Sequence, residues 1–149
     1  MSGADGFVPR KVNIADWGRP GWSPETIATD PAWRGEIPGE ALGTDVTVLF
    51  YATDKVGDGP AYHVHPYGEI FIVREGRARF FIGDTVVEAG PGDVLFGPAD
   101  VPHTFRNLGP SRLATTDIHL SPRRIQTNLD APPGLDLSVS PAVPADTAV

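Results

Sequence analysis

The chain has 149 residues, a formal net charge of −7 at pH 7 and no cysteine. This length suits one domain with a sizeable core, and the lack of cysteine excludes disulfides and thiolate metal ligands. The acidic balance argues against a nucleic-acid partner, because neutralising phosphates requires clustered Lys and Arg. Residues 1–11 lack the apolar segment of a signal peptide, and no apolar run is long enough to span a membrane. We therefore expect a cytoplasmic protein without a membrane partner.

Residues 1–43 form an N-terminal arm without clear periodicity. Residues 7–14 are compatible with a short strand. The tripeptide Ser23-Pro24-Glu25 is typical of a helix start, because it combines a Ser cap with Pro at the first helical position and an early acid. Pro31 limits this predicted helix to about two turns.

Three tryptophans in this arm, Trp17, Trp22 and Trp33, need apolar cover. They either pack on the chain's own core or contact a second copy of the chain, and the sequence leaves both explanations open. Several later strands are also apolar on both faces. We therefore expect a homodimer.

From Thr44 the sequence changes to short β-rich runs separated by Gly, Pro and Asp. The predicted strands are 44–53, 61–65, 69–75, 77–82, 85–89, 93–97, 103–108 and 112–120. Gly83 and Asp84 are typical of a two-residue hairpin turn with glycine first. Eight strands suit a jelly roll. We predict an all-β protein with a single jelly-roll barrel at residues 44–125.

Beyond Ile125 the strand pattern ends. Residues 131–149 are rich in Pro, Ala and small polar residues. Such a segment buries too little apolar area to offset the entropy of ordering it. We predict that residues 126–149 form a tail that is mostly disordered.

Three potential metal ligands lie within residues 57–76. On a strand, residues two apart point to the same face, so the imidazoles of His63 and His65 project side by side. Residues 66–68 are typical of a three-residue hairpin loop, which would place Glu69 opposite His65. An isolated His-x-His is more often a surface or packing pair. A carboxylate facing an apolar strand, however, needs solvent or a cation, which favours a metal site.

A second stretch, residues 92–107, contains His103 on a strand predicted to follow Pro102, and the two stretches together resemble the two motifs of the cupin superfamily. The first stretch follows G-x5-H-x-H-x3-E-x6-G with Gly57, His63, His65, Glu69 and Gly76, and the second follows G-x5-P-x-G-x2-H-x3-N with Gly92, Pro98, His103 and Asn107. Asp100 stands where the second motif has glycine, and Asp tolerates left-handed backbone better than most residues. The resemblance implies a cupin-type barrel that binds a metal ion.

The proposed metal ligands are His63, His65, Glu69 and His103. Three imidazoles and one carboxylate suit several divalent ions and disfavour Cu(I), which prefers sulfur. We expect one divalent ion per chain and favour Fe(II), with Mn(II), Ni(II) and Zn(II) as alternatives. Four protein ligands on a six-coordinate ion would leave two positions for water, substrate or dioxygen.

Strand alternation also predicts residues that surround such an ion. Phe71 and Val73 share the face of Glu69, and Phe105 shares the face of His103, so these three residues are the predicted substrate pocket. Ordinary core packing is the alternative explanation for them.

Two further residues are candidates for catalysis. The hydroxyl of Tyr67 could reach either the substrate or bulk water. His119 shares a strand face with Asp117, and such a pair could transfer a proton or orient a substrate, or form a hydrogen-bonded pair at the barrel rim.

Two functional classes remain open from the sequence. The first is a metal-dependent enzyme, for which we favour an Fe(II) dioxygenase acting on an apolar or aromatic oxygenated small molecule. The resemblance also covers isomerases, cyclases, decarboxylases and lyases. The second class is a binding module in which the metal anchors a small ligand without catalysis. No helix-turn-helix pattern accompanies the barrel, so we do not expect a transcriptional regulator.

Overall fold

The computed structural model of the protein describes residues 10–17, 23–30 and 32–139. The helical segments are a 3₁₀ turn at Ile14–Asp16, α1 at Pro24–Thr29 and α2 at Gly39–Leu42. The strands are β1 Gly35–Ile37, β2 Thr47–Thr53, β3 His63–Val64, β4 Glu69–Glu75, β5 Ala78–Ile82, β6 Thr85–Ala89, β7 Val94–Gly97, β8 His103–Asn107, β9 Leu113–His119 and β10 Thr127–Asn128. None of the described helices is long and apolar enough to cross a membrane.

The strands form two five-stranded antiparallel sheets, which pack as a barrel. The first sheet has the order β1-β2-β9-β4-β7, and the second has the order β10-β3-β8-β5-β6. Alternate side chains of each strand point inward, as in β4, where Glu69, Phe71 and Val73 are buried. The apolar core contains Phe71, Val73, Ala78, Phe80, Ala89, Phe105 and Leu113. This architecture confirms the predicted all-β single barrel.

All eight predicted strands are present, with ends shifted by no more than a few residues. The predicted hairpin turn is also present, because Ile82 and Thr85 pair directly across Gly83 and Asp84. Gly83 has φ +57°, which is the left-handed backbone that favours glycine at this place.

Residues 66–68 do not form the predicted hairpin loop. They carry the chain from one sheet to the other, since β3 pairs with β8 whereas β4 pairs with β7 and β9. Glu69 therefore lies opposite His119 and Gly97 rather than opposite His65. Short strands make few ladder bonds with a sequence neighbour, so long-range pairing determined which sheet each strand joined.

The N-terminal arm packs on the chain's own barrel where the structure describes it. Its strand β1 extends the first sheet by pairing with β2, and the Trp33 ring packs edge-on against Phe50 with centroids 5.3 Å apart. Helix α1 begins after the Ser23 cap, as predicted. Residues 10–13 are not a strand, and residues 7–9 and Trp22 lie outside the described residues. Trp17 is 41% exposed.

The first part of the predicted tail contacts the barrel. Strand β10 pairs with β3, with Thr127 opposite Val64 and Asn128 opposite His63, and the Leu129 N–H donates to the Tyr62 carbonyl at 2.8 Å. This differs from the disorder expected from residue 126 onward. Backbone hydrogen bonds to an open sheet edge order a segment whose composition offers little apolar burial. Residues 140–149 lie outside the described residues.

Candidate metal site

Four side chains from both sheets converge at one end of the barrel interior. His63 and His103 are direct cross-strand neighbours in the second sheet, Glu69 begins β4 in the first sheet, and His65 lies between them in the crossing segment. Each offers one donor atom, and these four atoms lie within 4.8 Å of one another. All four residues are at most 5% exposed. The ligand set expected from the sequence is therefore brought together.

A left-handed turn connects the two halves of this site. Asp100 has φ +63°, the conformation that glycine would otherwise supply, and its N–H donates to the His65 carbonyl at 2.8 Å. Asp adopts this backbone more readily than most residues. The departure from the second motif thus preserves the turn that precedes His103.

Backbone carbonyls determine the tautomers of the three histidines. The Nδ1 atoms of His65 and His103 lie 2.7 Å from the Ile125 carbonyl and 3.0 Å from the Val101 carbonyl, and the Nδ1 of His63 contacts the Ala61 carbonyl. A carbonyl oxygen only accepts, so each Nδ1 carries the proton and each neutral ring presents a lone pair at Nε2. This is the arrangement of metal-binding histidines.

In the absence of a cation, acceptor atoms of the histidines and of Glu69 face each other at the centre of the cluster. Oε1 of Glu69 lies 3.2 Å from Nε2 of His65 and 3.1 Å from Nε2 of His103. Nε2 of His65 is buried and has no hydrogen-bond partner. Acceptors that face each other in a buried site repel unless a cation lies between them. The cluster therefore fits one divalent metal ion, held by His63, His65, Glu69 and His103.

The ionisation states also favour metal binding. Burial lowers the pKa of His63 to about 4, so that imidazole is neutral near pH 7. Burial by itself raises the pKa of Glu69, but donated hydrogen bonds, such as that of His119, outweigh burial and lower it overall. Metal ligands must be deprotonated carboxylates and neutral imidazoles, and the pKa shifts of Glu69 and His63 favour those forms.

His119 differs from the other three histidines. Its Nδ1 lies 2.7 Å from the Tyr67 hydroxyl, which itself accepts the Ile125 N–H at 3.0 Å. The Glu69 carboxylate next to Nε2 only accepts, so Nε2 carries the ring proton and the Tyr67 hydroxyl donates to Nδ1 of His119. That Nε2–H lies 3.1 Å from Oε1 of Glu69 and donates to it. His119 and Tyr67 thus orient the Glu69 carboxylate, and Nε2 of His119 has no lone pair for a metal.

A cavity of about 220 Å³ lies beside the cluster. It is lined by Arg34, Leu49, Phe50, Tyr51, Gly59, Pro60, His63, Glu69, Phe71, Phe105, Asp117, His119, Arg124 and Gln126. Phe71 and Phe105 therefore line the cavity as expected for a pocket. Val73 lies deeper, in the apolar core, and Tyr67 lies behind His119.

Two guanidinium groups give the cavity a cationic side. Arg34 lies over the ring of Tyr51 at 4.6 Å, and Nε of Arg124 pairs with Glu36 at 3.0 Å. Within the described parts of the chain, Glu36 is the one carboxylate that pairs with either of these cations. The cavity can therefore accept an anionic group.

Sequence reasoning missed several of these contributors. Arg34 belongs to the arm and Arg124 to the segment after the last predicted strand, so neither occurs in a motif. The carbonyl of Ile125, which sets the tautomer of His65, carries no side-chain signal at all. The exception is Asp117. It lies two residues from His119 on β9 and so shares its face, and this spacing is visible in the sequence.

Comparisons with known proteins agree with this geometry. Residues 50–119 match the family model described as a cupin domain. Among curated proteins, the dimethylsulfoniopropionate lyase DddQ of Ruegeria pomeroyi is 30% identical over an alignment of 95 residues, with a coverage of 50% of this chain and 47% of the relative. The chain thus spans about half the length of the curated relative it matches.

Solved structures with the same fold include oxalate decarboxylase from Bacillus subtilis, with a TM-score of 0.59 and 17% identity over 65% of this chain and 27% of that chain. An uncharacterised protein with a double-stranded beta-helix domain from Klebsiella pneumoniae has a TM-score of 0.59 and 18% identity. Its alignment covers 82% of this chain and 98% of that chain. At these identities the likeness shows the fold alone.

Proposed function

We propose that this chain, whose residues 50–119 match the cupin-domain model, is a divalent-metal-dependent lyase that acts on a small substrate bearing a carboxylate. The observation that carries the proposal is the convergence of three histidine side chains and the Glu69 carboxylate beside a cavity with two arginines. Open positions on such an ion distinguish catalytic from purely structural sites.

Chemically, the bound ion would act as a Lewis acid that stabilises negative charge developing on the substrate. The donor set of three nitrogens and one oxygen supports Fe(II) or Mn(II), which tolerate mixed nitrogen and oxygen ligands. Nothing in the donor set separates these two ions, so both belong to the proposal.

The substrate class follows from the cavity. Arg34 and Arg124 lie where a carboxylate would meet two guanidinium groups, which bind carboxylates through paired N–H donors. A volume of about 220 Å³ is below the range usual for drug-sized ligands, which favours a compact substrate over a flavonol-sized one. The curated relative supports the reaction type, since its name specifies a lyase for a propionate derivative.

The test is an anaerobic assay of protein purified without chelator and reloaded with Mn(II) or Fe(II). A panel of small carboxylates is followed by NMR for cleavage products. We expect turnover with the wild-type protein and none with His65→Ala, which should not hold the metal. Arg124→Gln should raise KM with little change in kcat, because it removes a binding charge outside the metal site. Absence of turnover across the panel in the metal-loaded protein would contradict the proposal.

A dioxygenase reaction at the same metal is the second candidate. Phe71 and Phe105 supply an apolar wall beside the ligands, which would suit an apolar oxygenated substrate. Oxygen uptake distinguishes the two reactions. A product that forms only in air, with stoichiometric O₂ consumption, favours the dioxygenase, whereas turnover that persists under argon favours the lyase.

A further inference from the structure

Asp117 is a buried carboxyl group in the wall of the cavity. It lies on β9, with Leu49 of β2 on one side and Phe71 of β4 on the other. His119, two residues along the same inward face, lies opposite Glu69. Asp117 therefore lies one inward position further into the barrel than Glu69. Asp117 is 5% exposed and lines the cavity.

One oxygen of this carboxyl group has no partner. Oδ2 accepts the Thr115 hydroxyl at 3.1 Å, whereas Oδ1 is buried without a hydrogen bond. Among the described residues, no Lys, Arg or His lies within ion-pair distance of Asp117; the nearby Arg74 donates instead to the Thr115 carbonyl. A buried polar group without a partner destabilises a fold, so Asp117 is not explained by stability.

Burial is the main cause that raises the pKa of Asp117 well above its ordinary value; the charge of Glu69 adds to it in the metal-free chain, against the weaker opposing effect of Thr115 and Arg74. A carboxylic acid that keeps its proton can donate from the oxygen that Thr115 does not occupy. An oxygen atom of a ligand in the cavity would accept this hydrogen bond from Asp117. A plain propionate has no such atom beyond its carboxylate.

We propose that Asp117 binds the substrate, by hydrogen bonding a hydroxyl or keto oxygen of a small hydroxy- or oxocarboxylate whose carboxylate lies at Arg34 and Arg124. This inference rests on the proposed function, because it places the same substrate in the same cavity. It adds a second polar contact that selects among carboxylates of similar size.

The experiment compares 3-hydroxypropanoate with propanoate as ligands of the Mn(II)-loaded protein, by titration calorimetry. Wild type should prefer the hydroxylated acid by about tenfold, the usual effect of one buried hydrogen bond. Asp117→Leu should bring that preference below about twofold while propanoate still binds. Asp117→Asn, which keeps donors and acceptors in the same shape, should retain a preference of several-fold.

Arg124→Gln is the matched control. It should weaken binding of both acids by a similar factor and leave their ratio unchanged, because it acts on the carboxylate that both share. A thermal readout separates binding from a structural role. Asp117→Leu should leave Tm within about 3 °C of wild type, since the loss of an unsatisfied buried oxygen is offset by the Thr115 hydroxyl that loses its acceptor.

The outcomes distinguish the two proposals. If neither acid binds the wild-type protein, both proposals are wrong. If both acids bind equally, or the preference survives in Asp117→Leu, only the role of Asp117 is overturned. A Tm lowered by more than about 3 °C or insoluble protein for both Asp117 variants also overturns it, because Asp117 would then be needed for folding.

Discussion

The two ends of the barrel interior are built from the same strands but have opposite chemistry. Along β8 the inward residues are His103 and then Phe105, and along β4 they are Glu69, Phe71 and Val73. The first position of each strand contributes to the metal site, whereas the following positions enter the apolar core. One change of residue type along a strand therefore separates a site from a core.

The two ends are also held by different forces. At the apolar end, which we call the closed end, aromatic rings pack directly, with the Phe80 and Phe105 centroids 5.0 Å apart. At the ligand end, carbonyls and side chains orient each polar group, as Ile125 does for His65 and Tyr67 does for His119. Stability should therefore depend on the closed end and metal affinity on the ligand end. Substitutions at the two ends test this separation of stability from metal affinity.

His65→Ala should reduce metal affinity by about 1,000-fold or more, because it removes one of four ligands. Elemental analysis and competition with a chelator would measure this loss. The apoprotein should also lose about 1–3 kcal/mol of stability, because the buried ring leaves a cavity and the Ile125 carbonyl loses its donor. His119→Ala is the control and should retain metal with about 10- to 100-fold weaker affinity. Equal metal content in His65→Ala and wild type would show that the ligand set is wrong.

Phe80→Ala should lower the free energy of unfolding by about 3–5 kcal/mol, because a fully buried ring leaves a cavity in the core. Urea denaturation measures the change. Metal affinity of the folded variant should stay within about threefold of wild type. Val86→Ala, at a side chain that is 53% exposed, should change stability by less than about 0.5 kcal/mol. A large loss of metal affinity in Phe80→Ala would refute the separation of the two ends.

The metal-free protein should lose stability as pH falls from about 6.5 to about 4. Burial lowers the pKa of His63 in the fold to about 4, so in this interval the unfolded chain binds more protons than the native state. Stability therefore rises with pH across the window, by at most about 3 kcal/mol for this one group. Urea midpoints measured at several pH values test the sign. His63→Phe should flatten the dependence, and an unchanged slope would contradict the assignment.

Tyr67→Phe should have the smallest effect, a loss of metal affinity of about tenfold. The variant removes the hydroxyl that directs the tautomer of His119 and leaves the Ile125 N–H without its acceptor. Stability should fall by about 1 kcal/mol. Tyr62→Phe, in the same stretch of chain, is the control and should leave metal affinity unchanged. Wild-type affinity in Tyr67→Phe would mean that His119 is positioned without it.

Local patterns predicted much of this protein correctly. Runs of β-rich residues between Gly, Pro and Asp located the strands of the barrel, because alternation and turn chemistry act between sequence neighbours. The spacing of His63, His65 and Glu69, together with His103, likewise identified four residues that converge. The left-handed backbone at Asp100 is one that Asp tolerates better than most residues, as noted from the sequence.

The sequence by itself therefore determined the strands and the four residues that converge, because strand alternation and motif spacing indicate both. Only the tertiary structure decided that residues 66–68 cross between sheets, that Glu69 faces His119, and that the carbonyl of Ile125 orients His65. It also brought Arg34 and Arg124 to one cavity. These contacts join residues far apart in the chain through backbone groups and sheet pairing, for which no side-chain pattern codes.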